Sequence, residues 1–178
     1  DEKIYSSTFF KSSYDLSKKN SNVAIIGGGD GGVARECLEN NTSYIDWYEL
    51  DPEIVESCYR HLPKICSKVK KSNSVNTFWG DAFESIKAVE DSKYDKIFVD
   101  LNDDQYCIDL ARKNMKGLQR ILKPGGVITA QVGSKDKKPK QVENWCKILE
   151  KSFGNVTVSG AHIPSFDCNW NFASSILK

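Results

Sequence analysis

Val23-Ala24-Ile25-Ile26-Gly27-Gly28-Gly29-Asp30-Gly31-Gly32-Val33 is the stretch on which the fold turns. Its first four residues are apolar and partly β-branched. So short a run, closed by glycines, suits a strand buried on both faces. The glycines let the backbone turn tightly and come close to a ligand. Val33–Glu39 then reads as a short helix. A Gly-x-Gly-x-x-Gly pattern means little alone; here it follows a strand and opens a helix, which is the context it needs.

The same alternation continues outward from this turn. Ahead of it, the polar segment Ser12–Asn22 reads as a connector. Behind it, Tyr44–Leu50 has the aromatic and β-branched character of a strand. Asp51-Pro52-Glu53 starts a helix with a cap, a first-turn proline and an acid, and Pro63 stops it near Leu62. Val75–Trp79 is predicted as a strand, Phe83–Val89 as a helix, and Lys96–Asp100 as a strand ending in an acid. Leu110–Leu122 carries helical spacing and is closed by Lys123-Pro124-Gly125-Gly126. Val127–Val132 is a fifth strand, Gly133–Pro139 a basic loop, and Gln141–Phe153 a helix. Val156–Ile163 and Asn171–Leu177 read as a late antiparallel hairpin.

Alternating strands and helices require parallel pairing with right-handed crossovers. The predicted fold is therefore α/β: a Rossmann-like, doubly wound, mostly parallel sheet with an antiparallel C-terminal hairpin, formed by residues 1–178 as one domain. Ligands bind such sheets at the carboxyl ends of the strands, where the strand order reverses. Strands one and four flank that point, so the turn after Ile26 should lie beside Asp100.

Composition narrows the function. The chain has 178 residues, a formal net charge of +1, and 39% hydrophobic against 28% charged residues, which suits one ordinary soluble domain. The charge balance argues against a nucleic-acid or membrane-surface protein. No apolar run is long enough to span a bilayer, and Asp1-Glu2-Lys3-Ile4 is not a secretory signal. The six cysteines form no C-x-x-C pair and neither histidine lies near a cysteine pair, so a zinc site is not expected and reduced thiols in a cytoplasmic protein are.

Several carboxylates fall at strand ends. Glu49 ends the second strand about twenty residues after the glycine turn, where a carboxylate can take both ribose hydroxyls. Asp81, beside Ala82, follows the third strand and can accept from an adenine amino group; the plainer role for Glu49 and Asp81 is helix capping. Asp30 sits inside a turn whose bare amides would favour an anion, and so directs the site toward a cation instead. A turn aspartate without a ligand is the alternative. Asp100, Asp103 and Asp104 crowd the mouth of the fourth strand. Such a cluster suits a polycation or a hard metal ion, or caps the next helix.

Taken in order, Gly27–Gly32, Tyr48-Glu49-Leu50-Asp51, Gly80-Asp81-Ala82-Phe83-Glu84 and Asp100-x-x-Asp103 resemble the catalytic domain of the polyamine aminopropyltransferases, the spermidine synthase family. Asp1-Glu2-x-x-Tyr5 is similar to the start of that domain. Gln131-Val132-Gly133 and His162–Phe166 followed by Trp170 resemble the thermospermine synthase branch. The resemblance implies a fold of the class I S-adenosylmethionine-dependent transferase type and decarboxylated S-adenosylmethionine as co-substrate, with no metal. Its tail ends in an amine, which accounts for Asp30. By the same resemblance Gly27, Gly28, Gly29, Asp30, Gly31, Glu49, Asp81 and Ala82 hold this donor. Asp100 is the catalytic acid–base, and Tyr5, Asp30, Asp100, Asp103 and Gln131 contact a polyamine such as putrescine or spermidine. A homodimer or larger homo-oligomer is implied, without nucleic acid or membrane.

The sequence also departs from that pattern. The family carries a β-strand domain ahead of this one, and this chain starts where the catalytic domain does. Ser6 stands where the family has His or Gln, Asp104 replaces a proline, and the segment from Asp104 to Leu122 is short. A methyltransferase using intact S-adenosylmethionine shares the fold, and a non-catalytic binding homologue would fit the missing parts. Against the methyltransferase, Asp30 would face the methionine carboxylate.

Overall fold

The apolar run before the glycines forms β1 (Asn22–Gly27), the middle strand of the parallel part of a seven-stranded sheet. The structure, a computed structural model, describes residues 1–178. On one side β1 pairs in parallel with β2 (Tyr44–Glu49), and β2 with β3 (Val75–Trp79). On the other it pairs in parallel with β4 (Tyr94–Asp100), and β4 with β5 (Leu122–Gly133). β7 (Cys168–Ile176) runs antiparallel to β5, and β6 (Val156–Ile163) antiparallel to β7. The order is β3-β2-β1-β4-β5-β7-β6, and it reverses between β1 and β4, as the alternation requires.

Strand side chains alternate across the sheet and feed two separate cores. Ala24 and Ile26 of β1 join Ile97 and Val99 of β4 on one face; Val23, Ile25 and Phe98 point to the other. The first face is covered by α5 (Ala82–Ser85), α6 (Gln105–Ile121) and α7 (Pro139–Phe153), through Phe83, Leu118 and Trp145. The second is covered by α1 (Glu2–Tyr14), α2 (Gly32–Glu39), α3 (Pro52–His61) and α4 (Pro63–Lys70), through Phe9, Val33, Val55 and Val69. No helix is long and apolar enough to cross a membrane.

The structure corrects several boundaries. Ser12–Tyr14 belong to α1 rather than to a connector. Polar composition hid the helix, yet Ser6, Phe9, Phe10 and Ser13 recur at helical spacing and are all buried. Its C-terminal end is fixed by Lys96, fully buried on β4, whose ammonium donates to the Ser17 carbonyl at 2.6 Å and the Ser13 carbonyl at 3.4 Å. Burial lowers the Lys96 pKa to about 8. Pro63 does end α3, but it is also the first residue of α4, a position that suits a residue without an amide hydrogen. Phe83–Val89 is a single helical turn followed by a 3₁₀ turn (Ile86–Ala88). α6 begins at Gln105, ahead of Leu110, because the Asp104 carboxylate caps it by accepting from the Cys107 amide at 2.8 Å. β5 already includes Lys123-Pro124-Gly125-Gly126, with a shift in its register against β4. α7 starts at Pro139 and β7 at Cys168, each a little earlier than predicted.

Docking of α1 rests on Phe9, which is fully buried and stacks on Phe172 at 4.6 Å while its edge meets Phe98 at 5.3 Å. Phe9→Ala should lower unfolding free energy by about 3–5 kcal/mol in a urea titration. Ile4→Ala, on the exposed side of the same helix, should change it by less than about 0.5 kcal/mol.

Candidate functional site

A cavity of about 1050 Å3 opens at the carboxyl ends of β1, β2 and β4. Seven of its lining residues are Asp or Glu, and none is Lys or Arg. Its floor is the glycine turn. Gly27 and Gly28 have φ of +82° and +71°, a region that side chains disfavour. Register matters as much as torsion. Gly27 lies opposite Asp100, the Gly28 amide donates to the Asp100 carbonyl at 3.0 Å, and a Cβ on Gly28 would stand 2.8 Å from Asp100 Oδ2. Gly31, left-handed at φ 74°, is the N-cap of α2 and lies outside the cavity lining.

Asp100 ends β4 and accepts a hydrogen bond from the Tyr5 hydroxyl at 2.6 Å. Burial raises its pKa to about 7, and the negative charges of Asp30 and Glu49 push the same way against the Tyr5 hydrogen bond. Tyr5 comes from α1 and is gripped edge-on by Phe9, Phe166 and Phe172. Burial, and then the neighbouring Asp100 charge, hold its phenol well above the usual range.

Asp30 lines the same cavity while its Oδ1 accepts from the Gly32 amide at 2.8 Å, so it is both a turn residue and a wall of the site. Burial raises its pKa, opposed by the Gly32 bond and assisted by the charge of Glu2. Glu2 is itself clamped: Arg35 donates to both of its oxygens at 2.8 Å, and the Ser6 hydroxyl donates to it at 2.6 Å. The buried Arg35 also donates to Glu36 Oε1, which accepts from Lys3 as well. This fork-to-fork pair ties α1 to α2 and commits both terminal nitrogens of the guanidinium, while its Nε has no partner.

Glu49 is buried at the end of β2 and accepts from the Asp51 amide at 3.1 Å. Gln131 is buried beside Asp100. It donates to the Leu101 carbonyl and accepts from the Trp170 indole at 3.1 Å. Asp103 lines the cavity mouth, and the Lys138 ammonium lies 2.8 Å from its Oδ2. The carboxylates are spread around the walls, and nowhere do three His, Cys, Asp or Glu groups gather as a metal-ligand set.

These motifs and this fold coincide with known proteins. The family described as Spermine/spermidine synthase domain matches residues 2–177. The chain belongs to that family. A polyamine aminopropyltransferase of Prochlorococcus marinus (strain AS9601) is 30% identical over 98% of this chain and 64% of its own length. That of strain NATL1A is 32% identical over 97% and 62%, and that of Korarchaeum cryptofilum 26% identical over 97% and 54%. The chain thus spans less than two thirds of the curated relatives it matches. The spermidine synthase of Thermotoga maritima superposes with a TM-score of 0.88 at 20% identity, covering all of this chain and 61% of that one. A spermidine synthase solved with the transition-state analogue AdoDATO gives 0.90 at 19% identity, covering 100% and 62%.

Within this spermine/spermidine synthase domain, the cavity gathers Tyr5, Gly27, Gly28, Gly29, Asp30, Glu49, Asp100, Asp103 and Gln131. Asp81 and Ala82 stand apart from its lining. Asp81 is exposed and caps α5, accepting from the Phe83 amide at 2.8 Å. The strand end just before it is nonetheless tied to the site, since the Gly80 amide donates to the Glu49 carbonyl at 3.0 Å. His162 is exposed on β6 and is not part of the cavity lining, whereas its neighbour Ile163 and Trp170 are. Sequence reasoning missed Asp1, Glu2, Asp51 and Ile54 as wall residues and Arg35 as the clamp on Glu2. The Glu2 and Tyr5 pair, three apart on a helix, was the available signal.

The raised Asp100 pKa is also a statement about stability. Its folded-state value lies above the unfolded one, so ionisation opposes folding. The contribution is most favourable below the unfolded pKa of about 4 and is lost as pH rises through about 7. Asp100→Asn should therefore be more stable than the parent near pH ~8, by on the order of a few kcal/mol, with the difference vanishing near pH ~4. Urea titrations at the two pH values measure this, and a pH-independent difference would contradict it.

Proposed function

We propose that this domain transfers an aminopropyl group from decarboxylated S-adenosylmethionine to an amine of a polyamine, releasing methylthioadenosine. The observation that carries this reading is the cavity with seven carboxylates and no basic lining residue, in which burial already strains Asp30 and Asp100 toward protonation. A ligand bearing several positive nitrogens relieves that strain; an anionic one adds to it. The names of the relatives and the AdoDATO complex of a similarly folded synthase support the same reading.

The residues divide into two groups. Glu49 takes the ribose hydroxyls, Asp81 and Ala82 the adenine edge, and Gly27–Gly29 leave room for the nucleoside against bare backbone. Asp30 faces the donor's terminal amine. Asp100 and Tyr5 meet the attacking nitrogen, while Asp103 and Gln131 hold the rest of the acceptor.

In the reaction a nitrogen lone pair forms a bond to the aminopropyl carbon beside the sulfonium. The carbon–sulfur bond breaks, its electron pair stays on sulfur, and a neutral thioether leaves. The attacking amine must first lose a proton, because alkyl amines are ammonium at neutral pH. A carboxylate raised to about 7 is matched to accept it, since the best general base titrates near the working pH. The Tyr5 hydroxyl fixes one Asp100 oxygen and leaves the other for the amine. Alignment of nitrogen and carbon by the surrounding carboxylates supplies the rest.

Two measurements test this. Calorimetry should show decarboxylated S-adenosylmethionine binding at least tenfold tighter than the intact form, whose carboxylate would meet Asp30; equal or reversed affinity would sink the reading. Asp100→Asn should slow methylthioadenosine release by about 10²–10⁴-fold with nucleoside affinity nearly unchanged, and the parent's kcat/KM should fall below pH ~7 as Asp100 protonates. Parallel losses in binding and turnover would make Asp100 merely structural.

A further inference from the structure

Among the acids lining the cavity, the two with a charged partner are Glu2, held by Arg35, and Asp103, held by Lys138. The first pair is part of the buried clamp between α1 and α2. The second is different in kind. Lys138 belongs to the basic loop after β5, is half-exposed, and presents a primary ammonium 2.8 Å from a carboxylate at the cavity mouth. That ammonium is chemically the same group as the end of a polyamine.

The loop is placed by bonds that do not involve Asp103. The Lys138 amide donates to the Ser134 carbonyl at 2.7 Å, closing the turn. The Lys135 amide donates to Asn171 Oδ1 at 2.8 Å, and Asn169 donates to Asp136 at 3.1 Å, fastening the loop to β7. Lys137 donates to the carbonyl of Phe166, itself a cavity residue, at 2.7 Å. Lys138 is thus a tethered amine delivered to Asp103 by the fold, at a high effective concentration.

We propose that Lys138 is a specificity-determining residue: a built-in competitor that occupies Asp103 in place of the acceptor's distal ammonium. This rests on the polyamine reading above. An exposed pair of this type is weak and exchanges readily, so it does not seal the cavity. It sets a threshold instead. An acceptor with a second positive nitrogen must displace Lys138 to use Asp103, whereas a singly charged amine never engages it. The flexible four-carbon stem of lysine lets the head swing into solvent when displaced.

The test is calorimetry on the full chain saturated with methylthioadenosine, titrated with spermidine and with butylamine. Lys138→Gln should bind spermidine about two- to fivefold tighter than the parent and bind butylamine no differently, while Lys138→Arg should stay near the parent value. Equal spermidine affinity in parent and Lys138→Gln overturns the competitor role and leaves the acidic cavity standing. An equal gain for both amines also overturns it, because that is the signature of a general field and not of displacement. Binding of spermidine by neither protein overturns both this inference and the polyamine reading.

Discussion

The pairing of β1 with β4 brings Gly27 level with Asp100, and the glycine turn lies against that carboxylate with no room for a side chain between them. The rest of the site depends on this contact. It puts a carboxyl group at the strand-order reversal, under cover, with backbone on one side and Tyr5 on the other. A carboxylate so enclosed loses hydration, and the neighbouring acids Asp30 and Glu49 deepen its discomfort. The sheet therefore stores an electrostatic demand at one point, to be met by whatever cation enters.

No basic side chain of the fold meets that demand at Asp100 itself, whose side-chain partner is the Tyr5 hydroxyl. The fold's one guanidinium near the cavity, Arg35, spends both terminal nitrogens on Glu2 and Glu36. Its one buried lysine, Lys96, is spent on carbonyl groups at the far end of α1. Both of these charges serve to hold α1 in place, and α1 in turn carries Tyr5. Structural ion pairing and the open acidity of the cavity are thus coupled through a single helix.

Much of this was legible in the sequence. The apolar run and its glycines fixed the position of the reversal, because only a strand followed by a tight backbone turn fits that pattern. Glu49 and Asp100 follow from their places at strand ends, and Asp30 from its place in the glycine turn. What escaped notice depended on tertiary contact. α1 is polar by composition, and its burial shows only when Phe9 finds Phe98 and Phe172. The separate helix α4 was hidden by Pro63, which reads equally as a stop and as a start. Asp81 illustrates the opposite limit: its capping bond is explicit, while the adenine contact proposed for it rests on family resemblance and on the Gly80–Glu49 tie.

The cavity draws on α1, β1, β2, β4, β5 and the last strand, β7, which supplies Trp170. Its walls are therefore among the most widely separated parts of the chain. During synthesis on the ribosome the glycine turn and Glu49 emerge early, yet Tyr5 has no seat until Phe172 exists to hold it. A nascent chain can bury its parallel strands long before it can close this cavity, so an assembled acidic cavity reports completion of the whole fold rather than of its first half.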